Sequence, residues 1–208
     1  MKKVEVISVE DNLNPKFVKT ELLRCTRDGE PFLWERIKSH DSVHVLVDNA
    51  ETAELLLVKQ VRVPVLVNDA SQNGEVIEAC AGLVDKKANV QQIAKEEILE
   101  ELGYDVPTED VLLLKSLKSS VGTGGTNSYA FIARVDESMK VSEGGGLDSE
   151  DIEVVRIPYA EVDEYFFDSE IHTDAITMFL ATYWLFNMYV DKEVQNSFNN
   201  ISNSTITL

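Results

Sequence analysis

One segment, 89–103, constrains the fold more than any other. Asn89 is a good N-cap, Gln92 stands at the third helical position as in a capping box, and Gly103 is placed for the C-terminal cap, so a helix is expected over 90–102. Ala94, Ile98 and Leu102 form an apolar row that must pack inward. Glu97 and Glu101 extend the neighbouring row, which starts at Ile93, because residues four apart stack on one helix face at about 100° per residue. Two carboxylates therefore lie beside the buried face rather than opposite it, with Glu96 and Glu100 next to them. Partly buried, such a pair is costly unless protonated or bound to a cation. Hard divalent ions such as Mg²⁺ are the usual partners of oxygen-only sites. Taken alone, the charges favour a solvated acidic helix in an acidic protein; the residues around them shift the balance to a cation.

Around this helix the chain reads mainly as strands. Segments 17–26 and 32–38 flank an Asp28-Gly29 hairpin turn, 42–47 and 54–61 flank a polar break, and 75–81 supplies a further strand. Segments 4–9, 111–117, 129–135 and 152–157 also carry strand patterns, with a glycine-rich turn around Gly122 joining two of them. A short helix near 159–167 and an apolar one from Asp174 follow; the latter reads as core or dimer contact. The Gly144-Gly145-Gly146 run is the most flexible interior point expected, and 191–208, rich in Asn, Ser and Thr, is expected to be disordered. The pattern is α+β, a mixed and mostly antiparallel arrangement with helices outside the sheets.

Composition narrows the function classes. The 208 residues carry a formal charge of −18, which disfavours phosphate backbones and anionic membranes as partners. No stretch is long and uninterrupted enough to span a bilayer comfortably. Cys25 and Cys80 cannot make a disulfide framework, and His40, His44 and His172 show no zinc spacing. With no signal-peptide pattern at the N-terminus, a reduced, cytoplasmic protein is expected, and the sequons at Asn200 and Asn203 are read as chance.

Gly82 followed by Glu97-Ile98-Leu99-Glu100-Glu101-Leu102-Gly103-Tyr104 resembles the Nudix box, G-x5-E-x7-R-E-U-x-E-E-x-G-U with U apolar. Ala88 stands where the first Glu is expected and Glu96 where the Arg is expected, so the box lacks both halves of what is commonly a structural ion pair in the family. Glu78-Ala79-Cys80-Ala81-Gly82-Leu83-Val84-Asp85, Gln60-Val61-Arg62 and the late Gly144-Gly145-Gly146-Leu147 loop are similar to the nucleoside-diphosphate-sugar pyrophosphatase branch, closest to UDP-sugar pyrophosphatases. The resemblance implies a Nudix α/β/α sandwich over 41–190, preceded by an N-terminal antiparallel strand region over 1–40 that serves dimerisation or substrate contact.

It also implies the chemistry. Family members hydrolyse a diphosphate joining a nucleoside to another group, using Mg²⁺, with Mn²⁺ as the alternative. By position, Glu97 and Glu101 would bind metal, with Glu100, Glu150 and the Ala81 carbonyl contributing, while Gly82 would give the backbone the freedom to bring that carbonyl to the helix. Asp148 would activate the water, an Asp where the branch has Glu; Glu143 and Asp151 are the substitutes. Arg62 is the candidate for gripping the diphosphate, since a guanidinium engages two oxygens at once, with a surface ion pair as its other reading. Trp34 would stack on the nucleobase or be a core tryptophan, and the turn at Gly122 would wrap the sugar or be a plain hairpin turn. The expected substrate is a UDP-glucose-like nucleotide sugar. The alternatives are ADP-ribose or ADP-sugars, or a catalytically weak nucleotide-sugar-binding protein on the same fold. A homodimer is expected.

Overall fold

Residues 3–15, 18–69, 73–147 and 150–189 are described by the computed structural model. Asp148 and the tail 191–208 lie outside the described residues. The chain opens with a hairpin of β1 (Lys19–Arg27) and β2 (Glu30–Lys38), closed by Asp28 and Gly29, both at positive φ as a two-residue hairpin turn requires. Seven further strands, β3 (Ser42–Asn49), β4 (Glu54–Val61), β5 (Glu75–Glu78), β6 (Cys80–Leu83), β7 (Val111–Ser119), β8 (Thr126–Val135) and β9 (Glu153–Pro158), join one mixed sheet. Every pairing in it is antiparallel except β3 with β8. Segment 3–15, expected to hold a strand, holds none.

The sheet forks. β3 runs beside β8 along its whole length, but its other edge pairs with β6 over Ser42 to Val45 and with β4 only from Val47. The last half of β4 pairs with β5 instead. β3 and β4 thus part company where β5 and β6 enter, and the functional cavity opens at that split. Period-two alternation sends Val43, Val45, Val47, Leu56 and Val58 to one face and Leu46, Leu55 and Leu57 to the other, all of them fully buried. Both faces are covered, so β3 and β4 read as near-continuous apolar runs.

On the first face lies α2 (Val90–Glu97), which buries Ile93 and Ala94; a wider π turn, Ile98–Leu102, continues it. On the second lie α3 (Val162–Phe167) and α4 (Ala175–Tyr189), packing Phe166, Leu180, Ala181 and Trp184 onto the sheet. The expected α/β/α sandwich is therefore present, with α4 contributing to the core. The sequence reading has no counterpart for α1 (Val63–Asn68), a single turn and a half held by Pro64 in its first turn. Among the described residues no helix is long and apolar enough to cross a membrane.

The expected strand 75–81 is broken at Ala79, and the reason lies more than ninety residues away. Ala79 N–H donates to Thr177 Oγ1 at 2.8 Å instead of to a neighbouring strand. Thr177 Oγ1 donates in turn to Asp174, whose carboxylate also caps α4 by accepting from the amides of Ile176 and Thr177. Thr177 is fully buried. Replacing it with valine keeps the shape but leaves the Ala79 amide without an acceptor, which costs about 1–3 kcal/mol. Urea denaturation of Thr177→Val should show that loss with an unchanged m-value; a wild-type midpoint would mean that the amide finds another partner.

Candidate active site

The functional helix starts as expected and ends differently. Asn89 caps it by accepting from the Gln91 amide at 3.0 Å. Gln92 makes no capping box: its side chain donates to Glu96 at 3.0 Å and accepts from Thr108 at 3.1 Å. Beyond Glu97 the α-helix becomes the π turn, a local insertion that is frequent at functional sites, and Gly103 closes it at φ +81°. Glu96 forms an ion pair with Lys86. That pair stands in for the Glu–Arg pair of the Nudix box with its polarity reversed, so the two departures at Ala88 and Glu96 leave no charge stranded.

Glu97, Glu100 and Glu101 line one cavity together with Ala81 and Glu150. Glu101 is 4 % exposed and accepts from the Ala81 amide at 3.0 Å. Burial is the main cause that pushes its carboxyl up to about 7, and the charges of Glu97 and Glu150 add to it. Glu97 is pushed to about 7 as well, by burial first and then by Glu100 and Glu150. The same crowd of carboxylates, added to full burial, lifts the Cys80 thiol far out of the reactive range.

Gly82 is needed here for space and not for backbone freedom. Its φ is not positive, but a methyl group on it would lie 1.9 Å from Glu97 Oε1 and 2.1 Å from Cδ. Only a residue without a side chain lets that carboxylate lie flat on β6. Nor is the triple-glycine run a free hinge. Gly145 and Gly146 donate to the carbonyls of Glu101 and Glu100 at 2.8 and 3.0 Å and so satisfy the end of the π turn. Gly144, at φ +70°, lies so close to the Glu101 carbonyl that a Cβ would meet it at 2.3 Å. The loop thereby brings Glu150 to the cavity, where its Oε2 accepts from the Leu147 amide at 2.8 Å. Glu143 points away: it is 92 % exposed and paired with Lys140.

The cavity measures about 580 Å³, and Arg62, Gln60 and Lys86 also line it. Arg62 is fixed by its backbone, donating to the Gly74 carbonyl and accepting from the Val65 and Leu66 amides of α1. Its guanidinium engages both oxygens of Glu78, at 3.2 and 2.9 Å, so it lies in the cavity and in an ion pair at once. Burial nonetheless holds the Glu78 carboxyl above its ordinary value, Arg62 offsetting only part of that cost. Sequence reasoning assigned no role to Glu78, Gln60, Lys86 or His44, which also lines the cavity. The period-two spacing of Gln60 on β4 and Arg62 just past its end was the available signal for Gln60. Trp34 and Gly122 lie outside this cavity. They meet each other: Trp34 Nε1 donates to the Gly122 carbonyl at 3.1 Å, and the ring is half exposed on the hairpin instead of in the core.

The donor set suits a hard divalent cation: oxygens only, two of them on carboxylates that burial and mutual repulsion leave short of compensating charge. Among the described residues, no three acidic, histidine or cysteine side chains are drawn close enough to hold an ion as they stand.

Comparison with known proteins gives four findings. A family model described as NUDIX domain matches residues 38–179. Uridine diphosphate glucose pyrophosphatase of Bos taurus is 30% identical over 185 residues, spanning 76% of this chain and 83% of that protein. GDP-mannose pyrophosphatase of Escherichia coli O1:K1 is 35% identical over 159 residues, 76% of this chain and 81% of that one. Among solved structures, one described as an ADP compounds hydrolase superposes with a TM-score of 0.66 at 20% identity, covering 90% of this chain and 97% of the other.

The carboxylate pair has a pH signature. Glu97 and Glu101 titrate near 7 in the folded chain and near 4.5 when unfolded, so between those values the native state holds protons that the unfolded state has released. Stability of the metal-free protein should therefore fall as pH rises through that window. Melting in EDTA should drop from pH 5 to pH 8, millimolar Mg²⁺ should restore it at pH 8 and act little at pH 5, and Glu101→Gln should flatten both responses. Gly82→Ala, which removes no carboxylate but displaces Glu97, should also blunt the Mg²⁺ response. A wild-type response in both variants would place the cation elsewhere.

Proposed function

The chain belongs to the Nudix family, and on that premise we propose that this hydrolase splits the diphosphate of a UDP-glucose-like nucleoside diphosphate sugar into a nucleoside monophosphate and a sugar 1-phosphate. The observation that carries the reading is the make-up of the cavity. Carboxylates of Glu97, Glu100, Glu101 and Glu150 share one lining with the cations of Arg62 and Lys86. A diphosphate linking two uncharged groups matches that lining, with oxygens for a metal bound by the carboxylates and for the cations. The named activities of the bovine and bacterial relatives, on UDP-glucose and GDP-mannose, support the substrate class.

In this reading Glu97 and Glu101 hold a divalent metal, Mg²⁺ or Mn²⁺, with Glu100, Glu150 and the Ala81 carbonyl completing the oxygen donors. When bound, the metal neutralises phosphate oxygens and lowers the pKa of a water. Arg62 grips the diphosphate by exchanging the Glu78 carboxylate, whose two oxygens now share its Nε–H, for phosphate oxygens. Lys86, tethered by Glu96, adds positive charge beside the leaving phosphate. Asp148 takes the proton from the attacking water. The Lys86–Glu96 pair supports turnover over a merely binding role, because it supplies an ion pair where the box departs from the family pattern at Ala88 and Glu96.

The chain is read as a homodimer. A two-stranded sheet is marginal alone in water, yet β1 and β2 leave Leu22, Leu33 and Trp34 half exposed, and a second copy would cover them.

The test is a chromatographic panel that resolves the two phosphomonoester products formed from UDP-glucose, GDP-mannose, ADP-ribose, ADP-glucose and CoA with millimolar Mg²⁺. Nucleotide sugars should be hydrolysed faster than CoA and than a dinucleoside polyphosphate added to the panel, and Asp148→Asn should lower kcat about 10²–10⁴-fold with little change in KM. Arg62→Ala should act mainly on KM. Folded protein that turns over no sugar nucleotide would end the enzyme reading. Wild-type rates for Asp148→Asn would move the base to another residue.

A further inference from the structure

We infer that Glu137, held by Tyr104 and Arg156, is a positioning residue for the metal site: it fixes the register of the glycine-rich loop that carries Glu150 into the cavity. This rests on the reading of Glu150 as a metal donor given above. Residues 139–146 run antiparallel to residues 100–105, the end of the functional helix. Asp105 N–H donates to the Met139 carbonyl at 2.9 Å, and Tyr104 forms a bridge with Lys140. The Gly103 carbonyl accepts from Val141 and Ser142 at 2.8 and 3.2 Å. The Gly145 and Gly146 amides then reach the Glu101 and Glu100 carbonyls, and Leu147 N–H meets the Glu150 carboxylate. A strap of backbone bonds thus leads from Met139 to Glu150.

The strap has little of its own to set its register. Val141 and Leu147 are both more than half exposed, and Glu143 stands in solvent. Pairing is weakly specified where a segment is rich in glycine. A side chain at position 144 would meet the Glu101 carbonyl at 2.3 Å, so a slip that brings Glu143 there is forbidden. A slip the other way brings Gly145 there, which the same crowding permits. Its toll is Leu147 at the φ of +80° that Gly146 now holds, a strain in an exposed residue and not a clash. Glu150 would then move by about 3.8 Å, the spacing of successive Cα atoms. Mg²⁺ holds its oxygens at about 2.0–2.1 Å, so the displaced carboxylate would no longer reach the ion.

The start of the strap is pinned instead. Glu137 opens the 3₁₀ turn Glu137–Met139 that leads into it. Its Oε1 accepts from the Tyr104 hydroxyl and from Asn49 Nδ2, both at 2.7 Å, and Arg156 Nη1 lies 3.6 Å away. Arg156 also donates to the Tyr104 hydroxyl oxygen at 2.9 Å and to Glu54 at 3.1 Å. Tyr104 and Asn49 are fully buried, and Tyr104 directly follows Gly103, where the functional helix stops. The bond from Tyr104 to Glu137 therefore ties the strap to the same helix end along which it is zipped. Asn49 closes β3, Glu54 opens β4 and Arg156 lies in β9, so the network also ties that end to the sheet. Polar networks satisfied in this way are rigid. A slip of one residue would have to pull Glu137 off Tyr104, Asn49 and Arg156 at once.

The test follows Mg²⁺ by thermal melting, because the rise in melting temperature reports native-state affinity whatever the starting stability. Glu137→Ala should need about tenfold more Mg²⁺ for an equal rise, in line with the loss of an outer partner at a metal site. Tyr104→Phe, which keeps the ring and removes the hydroxyl, should do the same. Glu137→Gln keeps a carbonyl for Tyr104 and Asn49 and should restore the wild-type response. Glu150→Gln should weaken Mg²⁺ by itself, and in that background Glu137→Ala should add nothing, because both act through one donor. If Glu137→Ala and Tyr104→Phe melt lower in EDTA yet respond to Mg²⁺ as wild type does, the network serves stability alone and the inference is overturned. Additive losses in the double variant overturn it as well. An unchanged Mg²⁺ response in Glu150→Gln defeats the reading of Glu150 as a donor, and the inference falls with it.

Discussion

Two carboxylates of one helix have to be pressed against the strand that faces them, and much of the rest of the molecule serves that contact. Glu97 occupies the volume that a side chain at Gly82 would take, and Glu101 is held by the Ala81 amide. Burial beside other acids drives both carboxyls up to about 7, a standing electrostatic cost in the metal-free chain. Such a cost persists only where surrounding structure over-determines it. Here the over-determination is visible: Ile93, Ala94, Ile98 and Leu102 anchor the helix in a fully buried core, and the Gly145 and Gly146 amides close its end.

The forked sheet makes room for that contact. Had β3 and β4 stayed paired along their lengths, β6 would have no edge to join and Ala81 and Gly82 no place beside the helix. Because they separate, Ser42 and His44 on one strand, and Gln60 on the other with Arg62 just past its end, become walls of a cavity. The opposite face of the sheet carries a purely structural load, and the bond from Ala79 to Thr177 links the two. The strand segment that ends at Glu78 is set by helix α4, and Glu78 in turn holds Arg62.

Charge reversal at the Lys86–Glu96 pair separates what a motif specifies from what physics requires. The family pattern has an acidic and a basic residue at two set positions; this chain has Ala88 and Glu96 there, and a lysine two residues before Ala88 supplies the missing cation. What the helix needs is a neutralised charge at that turn, and either polarity supplies it. The pair is largely solvent-exposed, so its worth lies more in positioning Lys86 beside the cavity than in stability.

The sequence by itself determined the local elements and the chemistry they carry. The Asn89 cap, the Gly103 stop, the placing of Glu97 and Glu101 beside the buried row, the Asp28-Gly29 turn and the two-residue alternation of β3 and β4 follow from rules that act within a few residues, and the structure bears each of them out. The Nudix resemblance rests on the same local pattern. Tertiary structure alone decided the convergences. It broke the 75–81 strand at Ala79, took Trp34 out of the core, turned the triple glycine from a hinge into a helix cap, and made Gly82 a matter of space. It also joined Arg62 to Glu78 and Glu137 to Tyr104. Each of these depends on a partner distant in the chain. Periodicity and caps report which face of an element is buried, but not which other element covers it, and the forked pairing of β3 and β4 settles that.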